Sequence, residues 1–475
     1  MRIAALALRP LVLLLAIASL LGALPLAAQT DGNFDPDFGG GDGVTSWNGG
    51  GIVDVEDLVA TDSLLIGLGS FQQLAPGSPL HLHWQAFDTV GSAVASRACY
   101  VDTGTLVTFG VASRAHAGLV DSSGRLWIGG AVTILGSEDQ TRALLARFDL
   151  GQNGCVLDDT FSSNGWDLLD EETSCDTLDC EVVGLAEIRR ETGAVLASRY
   201  VALLAVRVNL LVTRYFLVSF DEGGSLITSF GVNGYRELVA PDVDDFAGAA
   251  YLEVDPLGRP CVYATAYDAD APSLDLDVYG FRYTVDGDLD TNFYSSGFHN
   301  FLDNDDSDIF ARDFVVRPDG DWAMSAEPPA GNLYVHNQDV DGGGAFAIFT
   351  DPDRSPTQVL GQGNGMLVLV SDHHPNTATD GFRSERRMGL GVVVDTSWGA
   401  GGGRNYDVDF GGNNSDTVVE AILWHGRLVV AGKASNPTGR SGFLLRAENH
   451  HVFADGFEAG SAAAWSEGIG LSDIP

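Results

Sequence analysis

One short pattern returns along this chain and constrains its fold more than any other feature. An aromatic residue follows a turn rich in Asp, Asn, Ser and Thr, and a glycine follows the aromatic by four residues. Full copies occupy residues 157–166, 226–235 and 289–298, and variants surround Phe38 and Trp398. The pattern predicts a tight polar turn, a buried aromatic ring and a glycine with positive φ before a strand. We expect Phe161, Phe230, Phe293 and Trp398 to be buried in equivalent places.

The spacing of the pattern gives the number of repeats. Its aromatic residues lie 123, 69, 63 and 105 residues apart, so each long interval has room for one degenerate copy. Two further markers occur in the same order and phase. A polar turn that opens an apolar strand recurs at 60–62, 123–125, 192–193, 257–259, 319–320, 364–365 and 425–426. A strand that runs into a turn recurs at 84–88, 145–149, 217–221, 281–286, 334–337, 383–387 and 443–446. Together the markers indicate seven repeats.

A repeat of this length with several short strands is typical of a β-propeller blade. Small sheets packed radially bury their faces against each other and leave only short edges. The chain has 59 glycines among 475 residues, as expected of a turn-rich all-β protein. The sequence therefore predicts an all-β fold with a single seven-bladed β-propeller over residues 31–452. A two-sheet or solenoid β array with the same repeats is the alternative.

The repeat also resembles a known family. The opening L-D-x-x-F-G-x-x-G, the D-G-R/K turn before an apolar strand and the closing A-R-F/Y strand resemble the bacterial delta-60 repeat. The likeness covers roughly residues 33–450, is good in the copies at 157, 226 and 394, and fades near Cys99 and Phe349. That family occurs in tandem in secreted proteins of β-propeller fold and implies no catalytic motif. The resemblance implies a β-propeller fold and predicts no particular function.

Both ends of the chain differ from the repeats. Arg2 and Arg9 precede an apolar run that ends in small residues at Ala27-Ala28, which predicts a secretory signal peptide over 1–29. A membrane anchor is disfavoured because the run is short and no basic cluster follows it. Residues 453–475 resemble the short D-G-F-E tail of secreted bacterial proteins, although a loose terminus would explain them as well. We expect a secreted, periplasmic or cell-surface protein.

The charge balance limits the partners. The chain carries 26 Lys and Arg against 65 Asp and Glu, a net charge of −39. Such a field repels phosphate backbones and anionic lipid surfaces, so we expect neither nucleic-acid binding nor membrane insertion. The expected partner of a monomeric chain is an extracellular protein or a glycan.

Five cysteines in an oxidising compartment predict disulfides. Cys175 and Cys180 are close enough in sequence to staple one loop. Cys99 and Cys155 mark the start and end of the second repeat, so they could join strands of one blade. Cys261 is then left over in a buried strand. Alternatively, some of these cysteines are small core residues.

Acidic turns suggest one cofactor, calcium. Asp286, Asp288 and Asp290 place carboxylates at alternate positions of one turn, as calcium loops do. The rival stretch is Asp303, Asp305 and Asp308. Neither matches the EF-hand spacing, and solvated acidic turns without metal are the simpler interpretation.

The catalytic residues are not identifiable from motifs, because no nucleophile elbow and no zinc-protease helix is present. This favours a secreted, non-enzymatic propeller for binding or surface interaction. The alternative is an extracellular lyase, hydrolase or dehydrogenase acting on carbohydrate or small molecules, with its site at the channel mouth. Converging His, Arg, Tyr and carboxylate side chains in a deep pocket would favour the enzyme.

Overall fold

The fold is all-β and propeller-like. The computed structural model describes residues 32–47, 51–75, 77–101, 110–134, 140–169, 175, 178–192, 195–239, 243–268, 276–302, 308–328, 333–338, 344–349, 354–362, 366–373, 381–388, 393–399, 401–408, 410, 416–437 and 439–449. Every regular element in these ranges is a strand. The described part of the chain contains no helix long and apolar enough to cross a membrane. The expected signal peptide and C-terminal tail lie outside the described residues.

Short antiparallel strands form consecutive units in chain order. Unit 1 contains β2 (Gly51–Ala60), β3 (Leu65–Gln73), β4 (Leu80–Phe87) and β5 (Ala93–Tyr100). Unit 2 contains β6 (Gly110–Val120), β7 (Arg125–Ile134), β8 (Gln140–Asp149) and β9 (Trp166–Leu168). Unit 3 contains β10 (Asp179–Thr192), β11 (Val195–Arg207), β12 (Thr213–Phe220) and β13 (Tyr235–Glu237). Unit 4 contains β14 (Val243–Val254), β15 (Pro260–Asp268), β16 (Leu276–Arg282) and β17 (Phe298–Leu302).

The remaining units follow the same plan. Unit 5 contains β18 (Phe310–Val316), β19 (Trp322–Glu327), β20 (Leu333–Gln338) and β21 (Gly344–Phe349). Unit 6 contains β22 (Arg354–Gln362), β23 (Met366–His373), β24 (Gly381–Met388), β25 (Val393–Val394) and β26 (Gly403–Tyr406). Unit 7 contains β27 (Asp416–Trp424), β28 (Arg427–Asn436), β29 (Gly439–Ala447) and, from the start of the chain, β1 (Val44–Trp47). Units 3 and 4 form one eight-stranded sheet because Thr213 of β12 pairs with Phe246 of β14.

The first strand of each unit lies on the inside of the fold. These inner strands are β2, β6, β10, β14, β18, β22 and β27. Each contacts the next in chain order, and β27 contacts β2. Each also carries a shift of register against its neighbour within the unit, as at Val55/Asp57, Ala311/Asp313 and Val418/Glu420. Since a β-bulge turns the following side chains to a new direction, these shifts decide which residues face the centre.

The aromatic pattern occupies the same place in every copy. The amides of Phe38, Phe161, Phe230, Phe293 and Trp398 donate to the carbonyl three residues earlier at 2.8–3.2 Å. All five side chains are at most 1% exposed. The predicted burial of these rings in equivalent places is confirmed, and it explains why the repeat keeps an aromatic residue here.

A buried arginine covers most of these rings. The third strand of the unit supplies the arginine, and the polar turn supplies an aspartate that pairs with it. The ion pairs are Arg147–Asp158 at 2.8 Å, Arg282–Asp290 at 2.9 Å, Arg386–Asp395 at 2.7 Å and Arg446–Asp35 at 2.6 Å. Each guanidinium carbon lies 4.6–5.3 Å from the centre of the aromatic ring in its own copy of the pattern. In unit 3 both partners are absent, and Ser219 and Ile227 stand in their places. We call this arrangement the Arg–Asp–ring motif.

Candidate functional site

Two neighbouring cavities open where the inner strands meet. The first measures about 680 Å³ and lies among units 2, 3 and 4. The second measures about 670 Å³ and extends across to units 5, 6 and 7. Both are lined by His116, Val183 and Tyr251, so they are parts of one depression. A concave surface of this size is a place where a ligand could be enclosed.

A histidine and a carboxylate lie side by side in the first cavity. The Nε2 atom of His116 on β6 lies 3.3 Å from Oε2 of Glu181 on β10. The hydrogen bond with His116 lowers the pKa of the Glu181 carboxyl, burial opposes this, and the charges of Arg207 and Arg114 add to the lowering. Glu181 therefore stays ionised and fixes the orientation of the imidazole, an arrangement that supports acid–base chemistry.

Two tyrosines complete the wall of this cavity. Tyr215 on β12 donates its hydroxyl hydrogen to the carbonyl oxygen of Gly248. Burial raises the pKa of Tyr215 and of Tyr251 well above the usual tyrosine value. Both phenols therefore remain protonated at neutral pH. Tyr215 uses its hydrogen in the bond to Gly248, and Tyr251 can act as a hydrogen-bond donor.

Four carboxyl groups line the second cavity. Asp57, Glu253, Asp313 and Glu420 come from β2, β14, β18 and β27. Burial raises the pKa of Asp57 to about 6 and that of Glu253 to about 7, against opposing backbone hydrogen bonds. Burial also raises the pKa of Asp313 and of Glu420 well above the usual values, and repulsion among these carboxylates adds to both shifts. Carboxyl groups that hold a proton near neutral pH can donate it to a leaving group.

The four carboxyl groups differ in the hydrogen bonds that they accept. Asp57 accepts a hydrogen bond from the amide of Gly118 in unit 2 at 2.6 Å, and Asp313 accepts one from Val359 in unit 6 at 2.7 Å. These two side chains therefore join neighbouring units. Glu420 accepts from the adjacent amide of Ala421, and Glu253 from that of Val254. Glu253 and Glu420 are the better candidates for chemistry because each accepts its hydrogen bond from the next amide in the chain and joins no other unit.

The raised pKa values predict a pH dependence of stability. A carboxyl group whose pKa is about 7 when folded and near 4 when unfolded releases a proton on unfolding between these values. Stability is then lost as pH rises through this window and levels off above pH 7. We expect Glu253→Gln to be about as stable as the parent near pH 4.5 and more stable near pH 8, by about 1–3 kcal/mol.

Urea unfolding of both proteins across this pH range would measure the effect. Asp62→Asn is a matched control, because Asp62 is exposed on the turn after β2. It should follow the parent at every pH. Parallel stability curves for the parent and Glu253→Gln would contradict the assignment.

The structure separates the residues of the expected calcium turn. Asp286 and Asp288 are exposed, whereas Asp290 is buried. One oxygen of Asp290 pairs with Arg282 at 2.9 Å and Arg259 at 2.8 Å, and the other accepts from Asn292. Among the described residues no group of three or more His, Cys, Asp or Glu is placed to hold a metal ion. In the rival stretch Asp303 and Asp305 lie outside the described residues and Asp308 lies within them. The calcium site stays a prediction.

Two disulfides are present. Cys175 is bonded to Cys180, and Cys180 lines the first cavity, so this staple holds its rim at the start of β10. Cys99 is bonded to Cys155 with the Cα atoms 4.6 Å apart. Cys99 lies on β5 of unit 1 and Cys155 follows β8 of unit 2, so the bond joins two units. The sequence suggested strands of one blade instead, because it did not place Cys99 on the outer strand of the preceding unit. Cys261 is free and buried.

Sequence alone missed His116, Glu181, Glu253 and Glu420. The usable signal was a charged residue inside an otherwise apolar inner strand, as in Tyr251-Leu252-Glu253-Val254. Such a residue is costly to bury without a purpose. What the sequence could not supply was the direction of each side chain, since the register shifts interrupt the alternation of faces.

Comparisons with known proteins found no matching family model and no matching curated protein. Solved structures do match. One is a polysaccharide lyase, an ulvan lyase, at 10% identity and a TM-score of 0.47, covering 85% of this chain and 96% of the other. A second is a β-1,3-galactosidase at 9% identity and a TM-score of 0.30, covering 54% and 55%. A third is a neuraminidase-like protein of influenza A/flat-faced bat/Peru/033/2010 at 10% identity and a TM-score of 0.37, covering 70% and 86%.

The expectation of a non-enzymatic binding protein is wrong. The matched structures include a glycan lyase and a glycoside hydrolase, although similarity at this level transfers no activity to this chain. Within the chain itself, His116, Arg207, Tyr215 and Glu181 converge on one cavity. That convergence is the feature expected of an enzyme. The sequence pointed away from it because these residues come from different repeats and form no local motif.

Proposed function

We propose that this chain is a secreted, monomeric enzyme that hydrolyses glycosidic bonds of an extracellular glycan at the joined cavities. The observation that carries the proposal is the meeting of an oriented histidine, His116 with Glu181, and the protonatable carboxyl of Glu253. Acid–base cleavage of a glycosidic bond needs a proton donor for the leaving oxygen and a base for water. Both kinds of group line this depression.

The proposal includes the architecture, a single seven-bladed propeller of the delta-60 type. Support comes from the repeat markers, from the order of contacts among the inner strands and from the contact of β27 with β2. The pairing of β1 with β29 would join the start of the chain to the last blade. A propeller of this kind gathers residues of several blades at one end of its channel, as His116 and Glu253 require. The two disulfides and the predicted signal peptide are compatible with secretion.

The roles follow from the environment of each group. Glu253 is the general acid, because it holds its proton up to about pH 7. His116, held by Glu181, is the base that activates water. Tyr251 borders the same space as a hydrogen-bond donor to sugar hydroxyls, and Tyr215, whose hydrogen goes to Gly248, offers its oxygen as an acceptor. Glu420 lines the same cavity as a second carboxyl group that burial keeps protonated.

The charge of the chain favours a neutral substrate. With a net charge of −39, the protein repels an anionic polysaccharide at long range. Elimination by a lyase requires a substrate carboxylate next to the broken bond, whereas hydrolysis does not. We therefore favour hydrolysis over elimination.

The proposal is tested on a panel of neutral and uronic-acid polysaccharides. We expect new reducing ends from a neutral glycan without the ultraviolet absorbance of an unsaturated product. Glu253→Gln and His116→Ala should each lower kcat by about a hundredfold, a typical contribution of one acid–base group. The parent rate should fall above pH 7, as Glu253 loses its proton.

Asp62→Asn, on an exposed turn away from the cavities, should keep the parent rate. An unsaturated product from a uronic-acid polysaccharide would show that the enzyme cleaves by elimination and not by hydrolysis. Full activity of Glu253→Gln would refute the assigned acid, and turnover of no glycan on the panel would refute the function.

A further inference from the structure

A hairpin tip beside the first cavity exposes large apolar side chains. It joins β11 to β12 and contains residues 208–212. Leu210 is 97% exposed, Leu211 67% and Val208 38%. Hairpin turns ordinarily carry Gly, Asn, Asp or Ser, and adjacent leucines in water forgo the free energy that burial would supply. An exposed apolar patch of this kind marks a binding surface.

The tip is a fixed structure. The side-chain oxygen of Asn209 accepts hydrogen bonds from the amides of Leu211 at 2.8 Å and Val212 at 3.0 Å. The amide of Val208 donates to the carbonyl of Val212 at 3.0 Å. These bonds fix the backbone that carries the two leucines, so little ordering of the turn is needed when a ligand contacts them.

The same tip borders the candidate active site. Asn209, Leu210 and Leu211 line the first cavity together with Arg207, His116 and Glu181. The same lining includes the small apolar side chains of Ala205, Ala249 and Ala250. The cavity therefore offers a ligand both apolar surface and acid–base groups.

We propose that Leu210 and Leu211 form an apolar lip that binds an alkyl, acyl or aryl substituent of the saccharide substrate. The inference rests on the proposed function and specifies its substrate class, an apolar-substituted sugar. The sugar faces His116 and Glu181, and its substituent lies against the two leucines.

The test compares binding of octyl β-glucoside, below its micelle concentration, with binding of methyl β-glucoside by isothermal titration calorimetry. The parent should bind the octyl compound at least tenfold more tightly, because only its chain reaches the leucines. The double variant Leu210→Ser/Leu211→Ser should lose this preference and keep its affinity for the methyl compound.

Leu257→Ser is a matched control. Leu257 is 71% exposed, and a side-chain oxygen of Asp255 accepts its amide hydrogen, as Asn209 does for Leu211. It lines neither cavity. It should bind both compounds like the parent. Equal affinity of the parent for the two glucosides would refute the proposal that Leu210 and Leu211 bind an apolar substituent. An unchanged octyl preference in the double variant would refute it as well.

The readout is binding, so the two proposals fail separately. A lip-dependent octyl preference without turnover of any glycan would retain the lip and refute the hydrolase. Turnover of neutral glycans without an octyl preference would retain the hydrolase and refute the lip.

Discussion

Replacing Asp290 with alanine is expected to destabilise the folded chain by about 3–5 kcal/mol, because it leaves buried arginine charge without its partner. Arg282 is 2% exposed and lies over the ring of Phe293, with its Nε atom 2.9 Å from Asp290. The same carboxylate also pairs with Arg259 at 2.8 Å. Chemical unfolding at neutral pH would measure the loss as a lower midpoint with an unchanged slope.

The third repeat provides the control for this prediction. There Ser219 and Ile227 occupy the positions of the arginine and the aspartate, and Phe230 is as buried as Phe293. The backbone bond between the two positions is 2.8 Å in both repeats. The double variant Arg282→Ser/Asp290→Ile should therefore be more stable than Asp290→Ala alone, since no charge is left unpaired. A double variant that is less stable than the single one would show that the motif is held by something other than charge pairing.

The same motif limits what the acidic turn can do. Burial would raise the pKa of Asp290, but the hydrogen bonds from Asn292 and the charges of Arg282 and Arg259 outweigh it and lower the pKa. Asp290 is thus committed to two arginines. A calcium ion at Asp286, Asp288 and Asp290 would have to compete with both of them.

Much of the fold could be predicted from local sequence patterns. The aromatic turn at Phe161 and the strand markers are short-range signals, so each could be recognised from a few consecutive residues. Their order placed the strands correctly and predicted which rings are buried. The pairing of Arg147 with Asp158 also leaves a signal in the sequence. In the next repeat both positions differ together, with Ser219 in place of the arginine and Ile227 in place of the aspartate.

The candidate site depends on long-range geometry. His116 and Glu181 belong to different repeats, and Glu253 and Glu420 lie far apart in the chain. Whether their side chains point to the centre depends on the register shifts within the inner strands, which no simple alternation predicts. The disulfide from Cys99 to Cys155 illustrates the same limit, since sequence spacing did not reveal that it crosses between units.

Removing residues 32–47 is expected to cost more than 5 kcal/mol, a large part of the stability of a typical domain. This segment supplies β1, which pairs with β29, and two buried rings, Phe38 and Trp47. It also supplies Asp35, whose loss leaves Arg446 without its partner at 2.6 Å. Fully burying one such ring stabilises by about 1.5–3 kcal/mol, and breaking a buried ion pair adds about 3–5 kcal/mol.

Trp47→Ala tests the same contact with a single substitution. The indole extends from unit 7 onto unit 1, where its ring centre lies 5.1 Å from that of Phe87. Gly67 of β3 leaves the space for it, since a Cβ there would lie 2.4 Å from the indole. We expect a loss of about 3–5 kcal/mol. A chain that ends after Val452 should melt like the full chain, because the predicted propeller ends there and only the predicted tail is removed. If the chain without residues 32–47 melted at the parent temperature, unit 7 would not need β1 and the proposed joining of the first and last blades would be refuted.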